Sequence, residues 1–182
     1  MKKSTLISFG VVVLCLLTVI WLYPHSMFGE NKTFAYNADD VIVEEFMEDL
    51  HNFKEINNIG STRDLASHRL QYVLPVYEQE WLTSKDAVKI KASDLEEMLK
   101  EVKSARNTML ELAFEENYSK YAKDFLKMNI KSWLTIEDMI VELTSSQHSK
   151  KEKEILYHNL HVEFINNFRI SLQSFYEEAQ EI

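Results

Sequence analysis

The hydrophobic pattern divides the chain at Pro24. Before it, Leu6–Tyr23 is an uncharged run of 18 residues. After it, apolar positions recur at three- and four-residue spacing, the pattern of amphipathic helices. As a helix the first run spans ~27 Å, close to the thickness of a bilayer's hydrocarbon core. It is longer than a typical secretory h-region, and no small-x-small cleavage site follows it. Cys15, the one cysteine, lies mid-run behind Leu14, which does not suit lipid attachment. The expectation is an uncleaved signal anchor, a single transmembrane helix over 6–23.

Beyond a tether over 24–37, the pattern predicts four or five helices in an all-α bundle over 38–182. Val43, Phe46, Met47, Leu50, Phe53 and Ile56 form one stripe ending at Asn57-Asn-Ile-Gly60. Ser61 or Thr62 caps a second helix carrying Leu65, Leu70, Val73, Val76, Tyr77 and Trp81, bent at Pro75. Thr83–Ala92 is a connector. Ser93-Asp-Leu-Glu96 has the form of a capping box opening a long helix to about Lys131. Its stripe starts with Leu95, Met98, Val102, Ala105, Met109 and Leu112, then drifts through Phe114, Tyr118, Tyr121, Phe125 and Met128. Such drift argues for a globular bundle over a coiled coil, and leaves open whether Leu95–Leu112 pairs with another copy. A cap at Thr135–Asp138 starts a short helix to Leu143. Ser149-Lys-Lys-Glu152 opens the last helix, with Leu156, Leu160, Phe164, Phe168, Leu172, Phe175 and Tyr176 inward.

Charge sets the topology. Lys2 and Lys3 precede the run, whereas Glu30, Lys32, Asp39 and Asp40 follow it. The positive-inside rule therefore makes residues 1–5 a cytoplasmic stub and places the rest outside the cytoplasm of a single-pass cell-membrane protein. Setting the two lysines aside leaves 18 basic residues against 29 acidic ones. A domain so negative is poorly matched to nucleic acid or anionic lipid. Three glycines and two prolines in the whole chain leave few residues for tight β-turns, which supports the all-helical reading.

Candidate chemistry is sparse. No nucleophile elbow and no phosphate-cradling glycine loop is present, so no enzyme activity and no cofactor are expected. Glu154, His158 and His161 stand at i, i+4 and i+7, making them candidate ligands for zinc with an open position, the basis of a metal-dependent enzyme alternative. Glu48 and His51 form a single Glu-x-x-His step, half of what a di-iron bundle requires. Tyr72, Tyr77 and Trp81 flank the Pro75 bend, and Tyr77 and Trp81 are the candidate interaction aromatics. Ser145–Glu154 reads as a solvated loop leading into the last helix. The expected role is a non-enzymatic adaptor, regulator or assembly factor that binds another envelope protein. The alternative is a small-molecule or metal-binding sensor signalling through a partner.

Overall fold

The computed structural model describes residues 12–18, 21, 33–56, 65–115, 118–145 and 148–180. Over these the chain is mostly helical. The order is β1 (Phe34–Tyr36), α1 (Asp40–Ile56), α2 (Leu65–Leu70), a 3-10 turn (Leu74–Tyr77), α3 (Glu80–Thr83) and β2 (Val88–Ile90). Then come α4 (Ala92–Glu115), α5 (Lys120–Thr144), α6 (Lys150–Asn166), a π-helical segment (Asn167–Leu172) and α7 (Gln173–Gln180).

Side chains satisfy the orphan donors at most of the longer helix starts. Asp39 Oδ1 accepts from the amides of Val41 at 2.9 Å and Ile42 at 3.3 Å to open α1. Ser119 accepts from the Ala122 amide at 3.0 Å to open α5. Ser149 and Glu152 form the expected capping box on α6, and that bonding holds the exposed Glu152 carboxyl below its usual range. At α4 the cap differs from expectation. Asp94, not Ser93 with Glu96, is the capping residue, accepting from the Lys91 amide at 2.8 Å, and the helix starts at Ala92.

Several expected elements are redrawn. The tether over 24–37 ends early, because Phe34 and Tyr36 are buried and β1 pairs antiparallel with β2. Phe34 faces Ile90, Ala35 faces Lys89 and Tyr36 faces Val88. A pure all-α fold thus gains a two-stranded ribbon. Its strands are joined through three helices, so no tight turn and no turn glycine is needed. The second helix is not one bent rod. Pro75 is the second residue of a 3-10 turn, in its first turn where the missing N–H costs little, and α3 follows as a separate turn. The long helix to Lys131 is two helices, α4 and α5, which pack along each other more extensively than any other pair. Residues 135–138, expected to start a helix, lie inside α5. The Asn57–Gly60 stop and the Ser61 or Thr62 cap lie outside the described residues.

Leu95, Met98, Val102, Ala105, Met109 and Leu112 all lie in the core, so that stripe serves the fold and not self-pairing. α5 buries Ala122, Leu126, Asn129, Trp133, Ile136, Ile140 and Leu143 against α4, α6, the π segment and α7. Phe168 is the junction of an aromatic spine. Phe46 and Phe53 meet it edge-on at 5.7 and 5.5 Å, and Tyr77 lies 5.3 Å away.

No helix among the described residues is long and apolar enough to cross a membrane. Of the expected anchor over 6–23, they include an exposed helical stretch at 12–18 and exposed Trp21. The transmembrane helix therefore rests on the sequence alone. Lys150 Nζ, at the start of α6, sits 5.3 Å from the centre of the Trp21 ring.

Candidate functional site

The three proposed metal ligands are separated by burial. Glu154 and His158 are exposed on α6, whereas His161 is only 2% exposed. The His161 ring points into the bundle, where Nδ1 lies 3.0 Å from the Tyr36 hydroxyl and Trp81 packs 5.7 Å away. Burial pushes its pKa down to about 4, opposed by the backbone of Leu82. Among the described residues, no group of three or more His, Cys, Asp or Glu side chains is placed to hold a metal ion. His51 is also exposed and faces Glu55 at 3.4 Å on its own helix.

Tyr77 and Trp81 are core residues, not surface aromatics. Tyr77 is fully buried between Trp133 and Phe168, and its hydroxyl donates to Asn167 Oδ1. Burial raises its pKa well above 10. Trp81 stacks edge-on against Phe164 at 5.3 Å and donates from Nε1 to Gln79 Oε1 at 2.6 Å. One edge of Trp81 lines a shallow groove of about 280 Å³, together with Val88, Met98 and Glu101.

Beneath α5 lies a polar knot that periodicity concealed. Asn129 Nδ2 donates to Asn167 Oδ1 at 3.0 Å, and Asn167 Nδ2 returns a bond to the Asn129 carbonyl at 3.2 Å. Asn167 opens the π-helical segment, a rare geometry associated with functional positions. Here it turns an amide into the core to meet Tyr77 and Asn129. A second concealed residue is Lys153, whose buried ammonium donates to the carbonyls of Leu143 and Ser145, ending α5. Burial lowers its pKa to about 8.

Two further open grooves lie on the surface of the described residues. The first, about 510 Å³, lies where α1 meets the end of the 3-10 turn and α3. Met47 and Leu50 give it an apolar floor, and His51, Lys54, Glu55 and Glu78 give it a charged border. Met47 is 45% exposed there, and Lys54 reaches across to pair with Glu78. This apolar centre within a polar margin is the usual anatomy of a protein contact. The second groove, about 310 Å³, runs between α5 and the end of α6 with the π segment. Met128 and Ile170 flank it, and Ser132 donates to Glu163 at 2.7 Å along its length. Helical spacing alone assigns Met47 and Met128 to inward stripes, so neither groove is legible in the sequence.

No protein-family model, no curated protein and no solved structure matches the chain.

Proposed function

We propose that this protein is a single-pass, membrane-anchored helical domain, held outside the cytoplasm, that binds another envelope protein as a non-enzymatic adaptor, regulator or assembly factor. The observation that supports this best is the groove between α1 and α3. An exposed methionine over a buried leucine forms an apolar floor, and charges of both signs border it. Methionine is adaptable and recurs at protein-binding surfaces. A bordering ring of charge would select the partner and its orientation more than it would add affinity. The anchor is supported by the uncharged run Leu6–Tyr23 and the flanking Lys2 and Lys3. The sensor alternative draws no support from Glu154, His158 and His161, which the fold separates.

The test is a crosslinking pull-down of the tagged full-length chain from its own membranes, beside a chain of residues 1–37 and a Met47→Glu variant. A protein recovered in near-stoichiometric yield with the full chain, and lost with the other two, is the expected result. Equal recovery with Met47→Glu would move the contact elsewhere. Recovery with residues 1–37 would reduce the interaction to the membrane segment.

A further inference from the structure

The charge pattern of α5 runs against its own dipole. An isolated helix favours anions near its N-terminus and cations near its C-terminus. α1 comes closer to this rule, with Asp40 in its first turn and Lys54, beside Glu55, in its last. α5 does the reverse. Exposed Lys120, Lys123, Lys127 and Lys131 fall in its first half against the single acid Asp124. Its second half carries exposed Asp138 and Glu142 and no basic residue. Among the described residues Lys127, Lys131 and Asp138 make no ion pair, and Glu142 meets only His148, at 3.6 Å. Lys120 and Lys123 in the first turn and Glu142 in the last work against the macrodipole, and Lys127, Lys131 and Asp138, mid-helix, gain nothing from it, so helix stability does not account for this arrangement.

The same helix bears a second apolar edge beside its buried one. Tyr121 and Met128 are 68% and 45% exposed, and Ile170, across the groove, is 52% exposed. Tyr121, Met128 and Thr135 share one side of α5 by helical spacing, and Lys127, Lys131, Asp138 and Glu142 border it. We infer that this edge is a self-association surface, on which α5 packs antiparallel against α5 of a second copy about a two-fold axis near residues 134–135. In that register Lys127 lies level with the partner copy's Glu142, and Lys131 with its Asp138. The opposed charge halves then attract, and the two helix dipoles run antiparallel. A two-fold contact needs one self-complementary patch. A helix that is basic in one half and acidic in the other, with methionine and tyrosine along its edge, is such a patch. This contact is separate from the groove between α1 and α3 and does not depend on the function proposed for that groove.

The experiment uses the full chain in detergent micelles, followed by sedimentation velocity at about 100 µM, where a micromolar association would be nearly complete. Lys127→Glu/Lys131→Glu and Asp138→Lys/Glu142→Lys should each weaken the dimer at least ten-fold. The four changes combined should restore it, because the reversed halves attract again. All four side chains are exposed, so circular dichroism should be unchanged. A disulfide readout in a Cys15→Ser background fixes the direction. Thr135→Cys should crosslink to itself, being close to the axis. Tyr121→Cys should not, since its copies lie roughly 40 Å apart along antiparallel helices. A monomeric wild-type chain overturns the inference. So does a dimer indifferent to the charge reversals, or one in which Tyr121→Cys crosslinks as readily as Thr135→Cys.

Discussion

The Tyr36 hydroxyl and His161 Nδ1 meet at 3.0 Å across 125 positions of sequence, locking β1 to α6 inside the bundle. Phe34, two residues before Tyr36, stacks on Tyr157 at 4.7 Å, one helical turn before His161. Tyr36 also stacks on Tyr157, at 5.8 Å. Burial raises the Tyr36 pKa to about 12, so its hydroxyl keeps its proton across the working pH range.

This pair predicts an acid sensitivity. Folding lowers the His161 pKa from 6.5 to about 4, so the folded state binds fewer protons than the unfolded chain between those values. The contribution to stability is complete above about 6.5 and declines as pH falls toward 4. A loss on the order of 2 kcal/mol is expected over that window. Thermal unfolding at pH 7.0 and pH 4.5 should show it, and His161→Phe should flatten the difference. An unchanged slope in His161→Phe would assign the acid sensitivity to carboxylates instead. Tyr36→Phe leaves Nδ1 buried without its partner and should cost about 1–2 kcal/mol at neutral pH.

Lys153 predicts a local effect with little change in packing. Its ammonium closes the C-terminus of α5 by donating to Leu143 and Ser145. Lys153→Met retains most of the side-chain volume but removes the donor to the carbonyl of the buried Leu143. The expected cost is about 1–3 kcal/mol. Amide exchange should accelerate in the last turn of α5 and not at its start. Uniform acceleration along the helix would mean that Lys153 contributes by filling space.

Tyr77 and Asn167 predict a coupling. Tyr77→Phe and an alanine at Asn167 each break the knot and leave a polar partner buried. A double-mutant cycle in denaturant should return an interaction energy of about 0.5–3 kcal/mol. Strict additivity would show that Asn129 alone satisfies the amide.

Sequence periodicity located the helices where apolar spacing was regular and caps were explicit. α6 is of this kind; the stripe from Leu95 to Leu112 is regular although Asp94 caps it, and α1 turns Val43, Phe46, Leu50 and Phe53 inward but leaves Met47 and Ile56 exposed. It failed where the buried face carries polar residues. Asn129 and Glu137 lie on the core side of α5, Glu137 beside Arg106, so the apolar residues that remained conspicuous, Tyr121 and Met128, were those facing solvent. The change of phase near Phe114 marked a helix end rather than a drift, and Phe114 itself is 86% exposed. The ribbon was invisible because three-residue strands carry too little alternation to detect, and strand pairing between 34–36 and 88–90 leaves no local signal. His158 and His161 were read as sharing a face, although their positions straddle the boundary between solvent and core. Both surface grooves escaped notice for a related reason: spacing assigns a methionine to a stripe but does not say how far the neighbouring helix covers it.

The position of β1 has a mechanical consequence under the anchored reading. Nine residues separate Tyr23 from Thr33, ten Cα steps that reach at most roughly 35 Å. Among the described residues after Trp21, β1 is the first element of the chain, and the β2 ladder, the Tyr157 ring and the His161 imidazole hold it. Under that reading, tension that reaches the strand would draw on the middle of the core rather than on a fraying terminus.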